Sequence, residues 1–384
     1  GFQEIALIYG ATELSYKKTA RLINRIRHQT DATPSTTLQN GVEQEGKKIL
    51  DFLERKTTAI LKRHQFTDEG RPLTKQTAYQ REATVMLPEE VSRVIAACGL
   101  SVDEQAEVEK NPVLYECGAD SVNISLDDVV VKKQKDTRSG SREEPGRDEE
   151  FTEPEGPPRG HQKDTRKYVH NTVAHIQHDE KSYTVSGQGV SAVLRVILGY
   201  VVHNDVLTYR LQFFVDGQKT LQAAILRAFS WFTNIGMLLD WYHLEDKCKR
   251  QLSLAMKGKT IRNDVLQELT RCLWYGMTDQ AIAYLGNLKE AVIKDPVALQ
   301  VLIGYIERNR PYIPCYEVRK RLGLRNSSNI GEKMNDLLVS TRQKHHGMSW
   351  SQSGSATLAA IEAIKRNEEY QTWFKALPEQ VRQG

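Results

Sequence analysis

Three acidic residues of the sequence are candidates for holding divalent metal ions. Asp127 lies near the end of a β-rich segment, Asp216 directly follows an apolar strand, and Glu332 lies on a predicted helix. Carboxylate oxygens are the hard ligands that Mg²⁺ prefers, and two such ions about 4 Å apart activate a nucleophile and stabilise the leaving oxygen of a phosphodiester. If the three side chains meet, the chemistry that they predict is metal-dependent phosphodiester cleavage.

The same residues also have ordinary structural interpretations. An Asp at the end of a strand commonly caps the following turn or helix, and both Asp127 and Asp216 fit that role when each is taken alone. Asp128 competes with Asp127, because side chains alternate along a strand and these two neighbours face opposite sides of a sheet. The sequence leaves the choice between them open.

The segments around these carboxylates follow strand and helix patterns in a definite order. The predicted strands are 121–131, 168–178, 183–185, 209–215 and 235–239, and the predicted helices between them are 190–203 and 220–232. This order, three strands, helix, strand, helix, strand, predicts an α/β fold with a ribonuclease-H-like mixed sheet. In that layout the first and fourth strands are central neighbours, so we expect Asp127 beside Asp216, with Glu332 added by a closing helix.

A chain of 384 residues is too long for one compact core, so several domains are expected. The predicted regions are a helix-turn-helix DNA-binding region 1–65, a helical linker region 66–118, the first part of the catalytic domain 119–242, an all-α insertion 243–325, and the closing helix and C-terminal helices 326–384. Residues 132–167 contain nineteen charged residues and almost no apolar ones, so this segment predicts a disordered loop within the catalytic domain.

The N-terminal region has the pattern of two short helices with a polar break between them. Ser15 is positioned to cap the first helix, and a second helix is predicted to begin near Ser35, with a further helix over 47–64. In a helix-turn-helix the start of the second helix enters the major groove. The side chains expected to contact DNA there are Thr36, Thr37, Gln39 and Asn40. An ordinary helical hairpin is the alternative.

Composition favours a protein of the cytoplasm that contacts nucleic acid. The five cysteines include no CxxC pair, which argues against a disulfide framework and a cysteine-based zinc site. No apolar stretch approaches the length of a membrane span, and the N-terminus does not have the pattern of a signal peptide. Residues 15–63 carry eleven Lys and Arg against five Asp and Glu, which favours phosphate contacts, although solvated helix faces are an equal alternative.

Four sequence motifs carry a resemblance to a known family. They are the Asp-Gly of FFVDG (Asp216, Gly217), the Asp-x-x-His of DWYH (Asp240, His243), the C-terminal block SSNIGEKMNDLLVSTRQKHHGMSW (Glu332, Asn335, Arg342, Lys344, Gly347, Met348, Trp350), and the N-terminal helices. With these motifs the chain resembles the DDE transposases of bacterial insertion sequences, in the branch related to Mutator-type transposases. The first strand departs from the common Asp-Gly, because Asp127 is followed by Asp128.

The resemblance implies cleavage of transposon ends followed by strand transfer from the freed 3′-hydroxyl. It assigns two Mg²⁺ ions, with Mn²⁺ as a substitute, to Asp127, Asp216 and Glu332. The expected partners are double-stranded DNA, as transposon ends and target, and further copies of the chain in a homodimer or higher assembly. The expected location is the bacterial cytoplasm, at the nucleoid, with no membrane association.

Further residues have supporting roles under this interpretation. Asp240, His243 and Asn335 are expected around the metal site, although Asp240 also fits a plain helix cap and His243 a surface or core position. Arg342 and Lys344 are candidates for phosphate contacts, and Trp274 for stacking on an unpaired base.

Three other functions compete with an active transposase. One is a transposase-derived DNA-binding protein whose catalysis is unused, and another is a different ribonuclease-H-like nuclease. The third is a helical scaffold in which the carboxylates are ordinary caps. The intact acidic set favours the transposase, and the predicted helical insertion before Glu332 argues against a simpler nuclease.

Overall fold

The computed structural model describes residue 7 and residues 9–74, 84–134, 167–344 and 348–374. The predicted charged loop 132–167 lies outside the described residues except at its two ends, and so does Gly347 of the C-terminal block. Among the described residues, no helix combines the length and the apolar character that crossing a membrane requires.

A five-stranded mixed sheet forms the centre of the fold. Its strands are β1 (Ser121–Lys132), β2 (Tyr168–His178), β3 (Lys181–Gly187), β4 (Arg210–Val215) and β5 (Ile235–Leu239), in the order β3-β2-β1-β4-β5. β2 runs antiparallel to both β1 and β3, whereas β4 runs parallel to β1 and β5 parallel to β4. The predicted central pairing of the first and fourth strands is therefore confirmed, and the topology is compatible with the predicted ribonuclease-H-like layout.

Helices cover the sheet and extend from it. They are α1 (Tyr16–Ile26), α2 (Ser35–Arg63), α3 (Pro88–Ala96), α4 (Val102–Glu109), α5 (Val190–His203), α6 (Lys219–Ala228), α7 (Trp241–Ala255), α8 (Lys259–Trp274), α9 (Thr278–Gly286), α10 (Pro296–Asn309), α11 (Tyr316–Arg321), α12 (Asn329–Asn335), α13 (Thr341–Gln343) and α14 (Gln352–Arg366). A π-helical turn, Asp336–Ser340, joins α12 to α13.

The two faces of β1 enter different parts of the core. Val122, Ile124 and Leu126 pack with α5 and α6 in one cluster, whereas Val129 packs with α14 and the segment after α12 in another. Each such buried aliphatic side chain contributes about 1.5–3 kcal/mol. Because side chains alternate along a strand, Asp127 shares the second face with Val129. The strand therefore directs this carboxylate toward the side of the sheet on which α12 lies.

The helices from α7 to α11 pack around their own apolar core. Leu244 and Leu252 of α7 meet Leu269 of α8 and Leu302 of α10, and the cluster extends to Phe214 of β4. Most of 243–325 is helical, and α9 in this region ends at Gly286. This helical block is anchored on the same strand that leads into Asp216.

The N-terminal helices differ from the prediction. Residues 35–63 form one continuous helix, α2, of 29 residues, instead of a short second helix followed by another. Gly46 does not break α2 but lets it approach α14, because a Cβ at this position would lie 2.5 Å from the carbonyl oxygen of Thr357. The long helix packs against α14 and α5. A compact helix-turn-helix unit is therefore not shown, because tertiary packing keeps α2 helical through its glycines.

Candidate active site

A small recess at the ends of β1 and β4 gathers the residues that the sequence singled out. Its lining includes Ser125, Asp127, His175, Asp216, His243, Ser328, Gly331, Glu332 and Asn335. The strand register brings Asp127 and Asp216 together. Ser125 of β1 pairs with Phe214 of the parallel strand β4, and each aspartate follows two residues later. All three predicted metal ligands thus border one recess.

Asp127 is half-buried, and two donors hold its carboxylate in place. The N–H of Asp128 donates to its Oδ1 at 2.8 Å, and Asn335 Nδ2 donates to its Oδ2 at 2.7 Å. Burial raises the pKa of Asp127 to about 6, and the charge of Asp216 adds to the rise. The neighbouring Asp128 faces the other way and accepts a hydrogen bond from Thr172 Oγ1 at 2.5 Å. Asp127, not Asp128, therefore borders the recess.

The Asp216-Gly217 turn depends on the absence of a side chain at position 217. Gly217 has a φ of +84°, in the left-handed region, and a Cβ there would lie 2.5 Å from Tyr305 Oη. That hydroxyl donates to the carbonyl oxygen of Asp216 at 3.2 Å, and the N–H of Gln218 donates to Asp216 Oδ1 at 2.9 Å. The glycine thus permits the contact with α10 that fixes the turn.

Substitution of Gly217 by Ala is expected to lower the free energy of unfolding by about 1–3 kcal/mol, because Ala strains the backbone and displaces Tyr305. The measurement is urea unfolding. Gly304→Ala is the matched control, since Gly304 precedes Tyr305 on α10 and an added Cβ meets nothing within 4 Å. The control should be neutral or slightly stabilising. Equal stabilities of the two variants would contradict this account of the turn.

Glu332 reaches the recess because α12 approaches β1 closely. A Cβ on Gly331 would lie 2.4 Å from Ser125 Cβ, so only Gly allows this approach. The side chain of Glu332 is 36% exposed, and its Oε1 lies 3.6 Å from His243 Nε2. Burial raises the pKa of Glu332 above its usual value, and the charge of His243 opposes the rise. Glu332 therefore borders the recess as a partly exposed carboxylate.

Asp240 and His243 form a coupled pair at the start of α7. Asp240 is 1% exposed, and its Oδ1 accepts from the N–H of His243 at 3.1 Å and lies 3.3 Å from His243 Nδ1. Its Oδ2 accepts from the N–H of Ser328 and, at 2.7 Å, from Ser328 Oγ. Burial alone would lower the pKa of His243, but Asp240 and Glu332 raise it to about 9. Asp240 therefore caps α7 and orients a cationic imidazole toward Glu332.

Two ligand sets are geometrically possible around the recess. Within the described part of the chain, Asp240, His243 and Glu332 are the group whose ligand atoms all lie within 4.8 Å of one another, a spacing that Asp127, Asp216 and Glu332 do not meet as a set. Both oxygens of Asp240, however, already accept hydrogen bonds. Partial burial and the charge of Asp216 raise the pKa of Asp127, and a divalent cation would stabilise its charged form. Three carboxylates on one recess fit the hard oxygen donors of Mg²⁺ or Mn²⁺.

Sequence reasoning missed several residues of the recess, and two of them make informative contacts. His175 lies on β2 opposite Ser125, and its Nδ1 lies 3.0 Å from Thr184 Oγ1. Burial, together with the charge of Arg325, lowers the pKa of His175 to about 4, so its imidazole is neutral. Ser328 anchors Asp240 from 88 positions away in the sequence. Only the strand register could have indicated His175, and no local pattern indicates Ser328.

The predicted phosphate ligands near the C-terminal block have different environments. Arg342 is 4% exposed, and its guanidinium lies 5.4 Å from the ring centre of Tyr16 and 5.1 Å from that of Trp350. This burial between two aromatic rings argues against a phosphate contact by Arg342, which instead ties α13 to the N-terminal helices. Lys344 is exposed, so its predicted phosphate contact stays a prediction.

The other predicted DNA contacts also differ in accessibility. Trp274 is half-buried, packs edge-on against Trp241 at 4.8 Å, and donates from Nε1 to Glu317 at 3.0 Å. These contacts argue against base stacking by Trp274. On the first turns of α2, Thr36, Thr37 and Asn40 are exposed, whereas Gln39 donates to Glu43 Oε1 at 2.9 Å. Their DNA contacts stay predictions.

Comparisons with known proteins give little further information. No family model matches the chain, and no curated protein matches it either. The chain is similar to a solved structure described as the Drosophila P element transposase strand transfer complex, with 9% sequence identity, 96% of this chain and 79% of that chain covered, and a TM-score of 0.26. A likeness at this level supports no conclusion about activity. The chain is a mixed α/β protein with a group of acidic residues and two histidines at one recess of its sheet.

Proposed function

We propose that this chain is a DDE-type DNA transposase that binds transposon ends and catalyses metal-dependent strand cleavage and strand transfer. The observation that carries the proposal is the single recess bordered by Asp127, Asp216 and Glu332, which lie far apart in sequence. The sequence resemblance assigns the metal to these same positions independently of the fold. A scaffold with carboxylates as ordinary caps would have no reason to bring the three together.

The topology supports a ribonuclease-H-like catalytic domain. The central parallel pair of β1 and β4 is what this domain needs to hold two carboxylates side by side. Under the proposal, residues 119–242 and 326–384 form the catalytic domain, and 243–325 form its helical insertion. Residues 1–65 would serve DNA binding and 66–118 would connect the two.

The proposed metal ligands are Asp127, Asp216 and Glu332. Two bound Mg²⁺ ions, or Mn²⁺ in their place, would supply activation of water or a 3′-hydroxyl and stabilisation of the leaving oxygen. The chain itself contributes positioning. Asn335 holds the carboxylate of Asp127 by its 2.7 Å hydrogen bond, and Tyr305 holds the backbone of Asp216.

His243 has a separate role in this mechanism. The carboxylates of Asp240 and Glu332 raise its pKa to about 9, which favours the protonated imidazole. The ring lies between Asp240 Oδ1, 3.3 Å from Nδ1, and Glu332 Oε1, 3.6 Å from Nε2. A fixed imidazolium at this place donates to an anion, and a DNA phosphate entering the recess is such an anion. His243 would therefore help to orient the scissile phosphate.

The proposal is tested by incubating the purified protein with labelled duplexes taken from the DNA that flanks its gene. Mg²⁺ or Mn²⁺ should support nicking and then strand joining, and EDTA should stop both. A folded protein that binds the duplexes yet nicks none of them in either metal would indicate a DNA-binding protein with unused catalysis. Cleavage confined to the RNA strand of RNA–DNA hybrids would indicate another ribonuclease-H-like nuclease.

The assembly and location follow from the same proposal. Joining two transposon ends to a target requires at least two active sites, so we expect a homodimer or larger complex on DNA. Light scattering of the protein with and without the duplexes measures this directly. The bacterial nucleoid is the location that such an activity implies.

A further inference from the structure

Tyr305 connects the helical insertion to the recess and carries two cations on its ring. Its hydroxyl donates to the carbonyl oxygen of Asp216 at 3.2 Å. Lys247 Nζ lies 5.6 Å from the ring centre, and the guanidinium carbon of Arg308 lies 5.7 Å from it. The ring is buried, so both cations have a defined position beside the Asp216 turn.

One face of α7 leads from the recess to these cations. Residues four and seven positions apart share a face of a helix, so Lys247 lies one turn beyond His243 and Arg250 nearly one turn further. His243 borders the recess, Lys247 is half-buried, and Arg250 is exposed. Arg308 adds a fourth basic group from the neighbouring helix α10. Basic side chains thus extend from His243 along one face of α7 and onto α10.

These cations lack enough acidic partners. Arg250 pairs with Asp246 at 2.7 Å, but within the described part of the chain no carboxylate lies within salt-bridge distance of Lys247 or Arg308. Burial, with the charges of Arg250 and Arg308, lowers the pKa of Lys247 below its usual value. Like charges held together in this way repel each other, and an anion between them would offset that repulsion.

The geometry points to a phosphate-binding rim formed by Lys247, Arg250 and Arg308, which holds the DNA backbone beside the recess. The identification of DNA as the partner rests on the proposed function. A nucleic-acid strand is the fitting anion, because its phosphates repeat along a line and can meet cations on successive helical turns. Contacts of this kind position a strand without reading its sequence. The rim would set which phosphodiester enters the recess.

The test compares Lys247→Gln/Arg308→Gln with the control Lys249→Gln/Lys259→Gln. Both double variants remove two positive charges from the same helical block. Lys249 and Lys259 are exposed, and Lys249 lies on the opposite side of α7 from Lys247. Fluorescence anisotropy with a labelled duplex of arbitrary sequence measures Kd over a series of salt concentrations. The slope of log Kd against log salt should fall by about 0.9 for each phosphate that the rim variant no longer neutralises.

The control variant should keep the slope of the unmodified protein. Equal slopes for the rim variant and the control, or no binding of the duplex by the unmodified protein, would overturn the inference. Far-UV circular dichroism and urea unfolding verify that both variants are folded. This result can be distinguished from a test of the proposed function. A smaller slope without any metal-dependent nicking supports the rim and refutes the transposase. Metal-dependent nicking with an unchanged slope supports the transposase and refutes the rim.

Discussion

Replacement of Asp216 by Asn is expected to reduce metal-dependent strand cleavage by about 10³-fold or more, and Asp127→Asn and Glu332→Gln should do the same. Loss of a metal ligand removes several kcal/mol of transition-state stabilisation, and each 1.36 kcal/mol corresponds to a factor of about ten. DNA affinity should change little, because the amides keep the size of the side chains and the rim residues are untouched. Single-turnover nicking at saturating Mn²⁺ measures the first effect and fluorescence anisotropy the second.

Asp128 supplies the matched control for this series. It neighbours Asp127 on β1, but its carboxylate faces Thr172 and not the recess. Asp128→Asn should therefore retain cleavage within a few-fold of the unmodified protein. Activity in Asp127→Asn together with inactivity in Asp128→Asn would exchange the two assignments.

The same series separates the two possible ligand sets. Mn²⁺ affinity, measured by calorimetry, should fall in Asp127→Asn and Asp216→Asn if the three carboxylates bind the metal. It should fall instead in Asp240→Asn and remain normal in Asp127→Asn if the closely spaced group of Asp240, His243 and Glu332 binds it. The hydrogen bonds already made by both Asp240 oxygens favour the first result.

The sheet and its acidic edge were open to prediction because strand periodicity is a local signal. Alternating apolar residues over 121–131 and the apolar run before Asp216 are visible without any fold. Once the two strands are placed side by side, the register fixes Asp127 near Asp216. The close approach of α12 depends on Gly331 against Ser125, which involves two residues that no periodicity connects.

Contacts between distant segments explain what the sequence did not predict. Arg342 is of a residue type that often binds phosphate. In the fold, however, its guanidinium lies between Tyr16 and Trp350, which come from opposite ends of the chain. Glycine usually weakens a helix, but Gly46 lies inside α2. Thr357 of α14 occupies the space that a side chain at position 46 would need. Intrinsic propensity is a weak preference that such packing overrides. Ser328 could not be predicted for the same reason, because the whole helical insertion separates it in sequence from its hydrogen-bond partner Asp240.

A buried ion pair between Glu116 and Arg319 joins three segments that lead to the recess. Arg319 is completely buried, and its two terminal nitrogens donate to Glu116 at 2.6 and 2.5 Å. Its Nε donates to the carbonyl oxygen of Arg325 at 2.9 Å. The pair thus fixes α11 and the segment after it, which leads directly to Ser328 and α12. A variant that breaks this pair should therefore disturb the recess as well as lower the stability.

Glu116→Gln is expected to lower the free energy of unfolding by about 3–5 kcal/mol, because it leaves the Arg319 charge buried without a partner. Arg210 lies in the field of Glu116 as well, so this carboxylate offsets two buried guanidinium groups. The reverse variant, Arg319→Met, should be milder, because Glu116 keeps Arg210 nearby. Urea unfolding measures both, with Asp246→Asn as the control.

The control breaks an exposed pair, Asp246 with Arg250, whose side chains are 41% and 66% exposed. Pairs of that kind contribute roughly 0.3–0.5 kcal/mol, so the control should differ little from the unmodified protein. The double variant Glu116→Leu/Arg319→Met removes both charges and should be less destabilised than Glu116→Gln. A Glu116→Gln protein as stable as the control would mean that water and the carbonyl oxygen of Arg325 are sufficient to satisfy Arg319. The pair would then have no role in holding the segment that carries Ser328 and Glu332.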